Sequence, residues 1–282
     1  MIEAESVSLT VGGRRVVDGV SLCAREGEVT VVTGPNGAGK STLFRVLSGE
    51  RAPHEGTVRL HGVELSRWKP RALARARAVM TQRPSVAFAF TAMEVVLLGR
   101  TPHGDGAAPS GLRAAERSLA RAGASDFAER IVSTLSGGEQ QRVFLARALA
   151  QVDGATSPCL LLDEPTAHLD VAQQARLLST LRSLAEEGAT VVAVIHELPL
   201  ALRYADAAAL MSEGRVVAAG PVVDTLTDEA LSAAYGTALQ RMGTPGRPGC
   251  TVEPVEAGEP PRSMNDGDDR DARADLAVGA LD

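Results

Sequence analysis

The chain has 282 residues, enough to bury one large core with an appendage, and its 44% apolar and 23% charged content is that of an α/β protein. Net charge is −6, but residues 246–282 hold nine acids against four arginines and carry five of those six charges. The near-neutral remainder excludes a strongly basic nucleic-acid surface. Apolar runs stop far short of the roughly 20 residues that span a bilayer, and no basic-then-apolar leader opens the chain, so a cytoplasmic location is expected. Cys23, Cys159 and Cys250 are too few and scattered for a disulfide framework or a metal site.

Residues 1–33 alternate apolar and polar positions around turns at Gly12-Gly13 and Glu26-Gly27, which predicts short strands. Val29 to Thr33 is a β-branched run ending on a Gly-rich loop, and residues 41–48 read as a helix stopped by Gly49. A hairpin is predicted around His61-Gly62, then a helix over 69–78 and a strand over 78–81. From Arg83 to Leu135 helix alternates with polar breaks. Residues 159–162 and 190–195 are continuous apolar runs, the pattern of buried parallel strands. A long helix over 171–187 separates them, and a helix over 198–203 and a hairpin over 207–219 follow. After about Thr244 the chain is rich in Pro, Gly, Asp and Glu, which predicts disorder.

Three predicted strands end at chemically loaded positions: Thr33 before the Gly-rich loop, Leu162 before Asp163-Glu164, and Ile195 before His196. Open parallel sheets bind ligands at the carboxyl ends of their strands. The three positions converge only if these strands are neighbours in one sheet.

Gly34-Pro35-Asn36-Gly37-Ala38-Gly39-Lys40-Ser41, with Thr42 behind it, matches the phosphate loop. Its glycines let backbone N–H groups face a β-phosphate, Lys40 bridges the β and γ phosphates, and Ser41 ligates Mg²⁺. Lys69 is the only other lysine, so a chance match in a Gly-rich chain is a weak explanation. Asp163 and Glu164 can divide labour between metal and attacking water, although an acidic strand end is common in α/β proteins. His196 is placed to bond a γ-phosphate; a lone histidine is more often structural, but a strand's carboxyl end favours the site. Gln82 is a weaker candidate, a neutral side chain for Mg²⁺ or water. In Leu135-Ser136-Gly137-Gly138-Glu139-Gln140-Gln141-Arg142, Ser-Gly-Gly precedes a helical run, which makes a second phosphate-binding helix N-terminus. Two different cradles on one chain suggest that each nucleotide takes contacts from two copies.

Taken in order, the loop at 34–41, Gln82, residues 135–140, Leu160 to Pro165, Thr166-Ala167-His168-Leu169-Asp170 and His196 resemble the nucleotide-binding subunit of an ATP-binding-cassette (ABC) transporter. The resemblance covers about residues 1–242, and residues 135–140 are highly specific to that family. It implies an α/β P-loop NTPase core with a mostly parallel sheet, an N-terminal antiparallel β subdomain and an α-helical subdomain inserted at about 83–151. An acidic, disordered tail is expected at 243–282. The resemblance implies a head-to-tail dimer in which two ATP molecules lie between one copy's phosphate loop and the other's Leu135, Ser136, Gly137, Gly138, Glu139 and Gln140. Asp170 matches the loop linking the two sites. Ser41, Gln82 and Asp163 would hold Mg²⁺, Glu164 would act as general base, and His196 and Gln82 would sense the γ-phosphate. The implied partners are a second copy, an integral membrane permease dimer met by the helical subdomain and, indirectly, a substrate-binding protein, with no nucleic acid. That places the chain on the cytoplasmic face of the cell membrane.

Residues 86–103, with Leu198 to Asp206, resemble more closely the ATPases of bacterial hemin importers, within the iron-chelate and cobalamin uptake group. Ferric-siderophore or cobalamin import is the alternative. A non-transport cassette is less favoured, because no coiled-coil insertion and no tandem second cassette is present. Two positions depart from the family pattern. Val11 stands about 29 residues before Lys40, where cassettes carry an aromatic residue that stacks on adenine, so adenine selectivity is either weaker here or supplied by Val16 and its neighbours. Ala167-His168 replaces the more usual Ser-Ala of the linking loop.

Overall fold

The computed structural model describes residues 1–81, 88–106, 108–167, 169–243 and 250–255. The N-terminal alternation forms β1 (Ile2–Val11) and β2 (Arg14–Ala24), paired antiparallel across Gly12-Gly13, both of which take positive φ. Next, β3 (Val29–Thr33) delivers the Gly-rich loop to α1 (Lys40–Leu47). Strands β4 (Glu55–Leu60) and β5 (Val63–Glu64) complete a four-stranded antiparallel sheet in the order β2-β1-β4-β5. Helix α2 (Pro70–Ala76) opens on proline, whose missing N–H costs nothing there, and runs into β6 (Arg77–Met80).

Three helices, α3 (Ala92–Leu98), α4 (Pro109–Arg121) and α5 (Gly137–Val152), lie between β6 and β7 (Cys159–Asp163). Then come α6 (Val171–Glu186), β8 (Thr190–Val194), α7 (Leu198–Tyr204) and the antiparallel hairpin of β9 (Ala207–Ser212) and β10 (Arg215–Pro221). The described chain closes with α8 (Val222–Thr225), α9 (Asp228–Tyr235), β11 (Leu239–Met242) and β12 (Thr251–Pro254).

The central sheet has six strands in the order β10-β9-β3-β8-β7-β6, parallel except at β10. Both of its faces are covered, so its inner strands are built of apolar and β-branched residues, the buried Thr30, Thr33 and Thr190 among them, and alternate residues serve different cores. Cys159 and Leu161 of β7, with Val192 and Val194 of β8, pack against α1 and the N-terminal sheet. Leu160, Leu162, Val191 and Ala193 pack on the opposite face with residues of α5 and α6. Each such buried Leu or Val contributes about 1.5–3 kcal/mol. Helices α1 and α5 therefore lie on opposite faces of one sheet.

The helical segment has a polar brace of its own. Arg100, 6% exposed, forks onto both Asp105 carboxylate oxygens at 3.0 and 2.8 Å and donates to the Ala150 carbonyl at 2.8 Å, which ties the end of α3 to the end of α5. The sequence predicts no structure after about residue 243, but β12 pairs antiparallel with β11 and Cys250 is buried. Thr-Val-Glu-Pro is too short and polar to announce a strand; its partner strand holds it.

Candidate active site

Strand order settles the convergence condition. β8 lies between β3 and β7, so the Gly-rich loop, His196 and Asp163-Glu164 leave three adjacent strands at the same edge. The loop is locked by close approach. A Cβ on Gly34 (φ 142°) would stand 2.1 Å from the Met211 carbonyl oxygen, and one on Gly39 (φ 96°) 2.5 Å from that of Val16. Gly39 in the left-handed region turns the chain into α1 and leaves first-turn N–H groups facing the loop. Lys40 is buried, and its Nζ donates to the Gly34 and Pro35 carbonyls at 2.7 and 2.8 Å. Burial holds its ammonium below the usual range, and the Glu164 and Asp163 charges oppose that shift. Asn36, Gly37 and Ser41 are exposed along the loop, with Pro35 and Thr42 half-buried and Ala38 buried beneath it.

Asp163 ends β7, and Glu164 follows with φ 48°, an uncommon value for a non-glycine residue. The Glu164 N–H donates to the Val194 carbonyl at 3.2 Å, and Glu164 Oε1 meets His196 Nε2 at 2.6 Å. The turn after β7 and the end of β8 are thus joined by both backbone and side chain. Burial first, and the Glu164 charge second, push the Asp163 carboxyl up to about 6. Its Oδ1 is buried without a protein partner. A carboxylate oxygen so placed, with the Ser41 hydroxyl exposed on α1, suits a hard divalent cation that takes oxygen ligands.

The segment at 135–142 is built differently. Ser136 N-caps α5 in a capping box, with its N–H donating to Glu139 Oε2 at 2.7 Å and its hydroxyl accepting from the Glu139 N–H at 3.4 Å. Glu139 also pairs with Arg130 at 3.2 Å. Leu135 and Gly138 are buried, Glu139 and Gln140 half-buried, and Ser136 and Gly137 exposed. Leu135 and the buried residues of α5 pack in the core on the sheet face opposite α1. Asp170 caps α6 by accepting from the Gln173 N–H at 2.8 Å.

Sequence inspection overlooks Gln141, whose Nε2 donates to the Pro165 carbonyl at 2.8 Å and ties α5 to the turn that carries Glu164. Its place as the second glutamine of the Gln140-Gln141 pair is the one clue in the sequence, and its burial emerges only from the fold. It also overlooks Glu197, which accepts from the Thr166 hydroxyl at 3.2 Å. Gln82 and His168 lie outside the described residues, as do Val86 and Ala87; β6, the strand before Gln82, is hydrogen-bonded to β7.

A model of the ABC transporter family matches residues 17–167, which take in the phosphate loop, residues 135–142 and the two carboxylates. The chain belongs to the ABC transporter family. Among curated ABC relatives, the hemin import ATP-binding protein HmuV of Agrobacterium fabrum is 47% identical over 84% of this chain and 91% of its own length. HmuV of Rhodococcus jostii is 43% identical over 86% of this chain and 82% of its own. The dimeric bacterial ABC transporter cassette MJ0796 superposes with a TM-score of 0.68 at 28% identity, covering 79% of this chain and 99% of that one. A nucleotide-free ATP-binding cassette from an ABC transporter matches in fold with a TM-score of 0.73 at 24% identity, over 83% of this chain and 98% of its own. The fold is that of an ABC ATPase, the chain is the ATPase of an ABC transporter, and it binds nucleotide. No described helix is long and apolar enough to cross a membrane.

Proposed function

We propose that this ATPase energises hemin import through a separate membrane permease, working as a head-to-tail dimer on the cytoplasmic face of the membrane. The observation that carries the dimer is the placement of Lys40 and Ser136 on helices of opposite sheet faces, the second with an exposed helix start. A nucleotide on one copy's phosphate loop is then completed by Ser136, Gly137 and Gly138 of the other, and Asp170 lies at the crossing between the two sites.

Within one site, Gly34 to Thr42 cradle the phosphates and Lys40 turns from its carbonyl partners to the β and γ oxygens. Glu164 takes the proton of the attacking water, with His196 holding its carboxylate and sensing the γ-phosphate. Ser41, Asp163 and Gln82 would hold Mg²⁺, which would supply positive charge to neutralise the phosphates. Closure on ATP and reopening after hydrolysis is the two-state change passed to the permease.

Hemin as the cargo is supported by relatives at 42–47% identity over most of the chain that carry that name. The deciding experiment reconstitutes the chain with its permease and compares ATPase stimulation by heme-loaded and siderophore-loaded binding protein. Stimulation by heme is expected. Stimulation by siderophore alone would move the cargo to the ferric-siderophore alternative.

A further inference from the structure

The triphosphate has a direction in this site. On the reading proposed above the γ end faces Asp163, Glu164 and His196, which leave the ends of β7 and β8 on one flank of β3. The nucleoside must leave on the other flank, where β9 is the neighbour of β3. There the Glu213-Gly214 turn joins the loop to β2: the Gly214 N–H donates to the Ala38 carbonyl at 3.1 Å, and the Gly214 carbonyl accepts from the Asp18 N–H at 2.9 Å. The Val16 carbonyl lies against both Gly39 and Gly214. A base leaving the loop on this flank meets the β1–β2 hairpin.

A purine needs a flat partner, and no exposed aromatic lies on this hairpin or on α1, where Phe44 is 3% exposed. Val11 is 55% exposed, and its direct cross-strand partner is Arg14. Directly opposed residues share a sheet face with Cβ atoms about 4.5–5.5 Å apart. Arg14 is two positions before Val16, which stands unpaired where the β1–β2 register shifts between Leu9 and Thr10. Its neighbour Arg15 is committed to Asp18 at 3.2 Å and to Glu55, and Asp18 is also held by Arg215 at 2.6 Å. Arg14 is exposed and has no side-chain hydrogen bond or ion pair among the described residues.

We propose that Arg14 is the base platform of this nucleotide site: its guanidinium plane stacks on the purine beside Val11. The proposal rests on the phosphate loop binding a nucleoside triphosphate. A guanidinium is planar, weakly hydrated and able to stack on π faces, properties that a lysine ammonium lacks. Such stacking does not depend on the base edge, so it serves adenine and guanine alike.

The test titrates the full chain, as wild type and as Arg14→Ala, Arg14→Lys and Arg14→Tyr, with MgATP, MgGTP and inorganic tripolyphosphate. Arg14→Ala is expected to weaken ATP and GTP by about tenfold each, with tripolyphosphate unchanged. Tyrosine restores nucleotide affinity and lysine does not, and in ATPase assays of Arg14→Ala the KM rises while kcat holds. Equal losses for ATP and tripolyphosphate would place Arg14 on the phosphates and overturn the proposal, as would unchanged ATP affinity in Arg14→Ala or full rescue by lysine. If wild type binds ATP no better than a Lys40→Ala variant does, the phosphate-loop reading falls, and this proposal with it.

Discussion

His196 Nε2 stands 2.6 Å from Glu164 Oε1, across the gap between the ends of β8 and β7. The pair joins a residue with φ 48° to the end of a strand whose residues are all buried, so the carboxylate is fixed in direction before any substrate arrives. Preorganisation of this kind is what a general base near a water needs.

Glu164→Gln keeps the shape of the side chain and its hydrogen bond to His196 but cannot take a proton. ATP binding is expected to persist while turnover falls at least about a hundredfold, within the range for loss of a general base. The variant should accumulate as an ATP-bound dimer, read by size-exclusion chromatography with and without ATP. His196→Ala leaves the carboxylate but removes its anchor and the γ-phosphate contact, so kcat falls and ATP affinity weakens with it. Normal turnover by Glu164→Gln would sink the assignment of the base.

Asp163 gives a pH prediction whose sign follows from its raised carboxyl. The folded value of about 6 lies above the unfolded value of about 3.9, so the folded protein holds this proton more tightly than the unfolded chain. The associated stability is present below about pH 4 and is lost as pH rises through about 6. Asp163→Asn removes that loss and is expected to raise the nucleotide-free Tm by roughly 3–6 °C at pH 8, with a smaller gain at pH 5. The same variant loses Mg²⁺-dependent turnover. Thermal scans at the two pH values check the first claim, and a Tm gain that grows toward low pH would refute it.

The phosphate loop separates its glycines by what surrounds them. An alanine Cβ at Gly34 or Gly39 meets a backbone carbonyl at 2.1 or 2.5 Å, and neither carbonyl can move without shifting β9 or β2. At Gly37 (φ 78°) nothing lies within 4 Å, so only the left-handed backbone opposes a side chain, at about 1 kcal/mol. Gly34→Ala and Gly39→Ala are expected to lose ATP binding or folding, whereas Gly37→Ala stays folded with modestly lower Tm. Circular dichroism melts and ATP titrations distinguish the three.

The same contrast explains which parts of the site were legible in the sequence. Val29–Thr33, Cys159–Leu162 and Thr190–Ile195 announce themselves as short runs of apolar and β-branched residues, the composition of strands buried on both faces, and the loop or polar residue that follows each run marks the site. Sheet order is not written in any one strand, so the neighbourhood of β3, β8 and β7, and the opposition of α1 and α5, emerge only from the pairing. Ser136 and Glu139 carried a second message at the i, i+3 spacing of a capping box, masked by the glycines between them. Arg14 is not legible in the sequence, because its meaning depends on the register that sets it opposite Val11.

The C-terminal boundary follows from β12. Truncation after Thr244 would remove β12 and Cys250, which is 7% exposed, and strip the partner from β11. Helix α9 ends just before β11, and Ser232 is bonded to Leu239 at 2.8 Å, so the loss reaches a helix packed beside β9. A chain ending at Val255 is expected to keep the Tm and ATPase rate of the full chain, whereas one ending at Thr244 melts several degrees lower, on the order of the 2–4 °C that each kcal/mol shifts a domain of this size. Matched melts of the two truncations decide it: equal Tm values would mean that the β11–β12 pair adds nothing, and a fall in activity at Val255 would assign a role to the acidic segment beyond it.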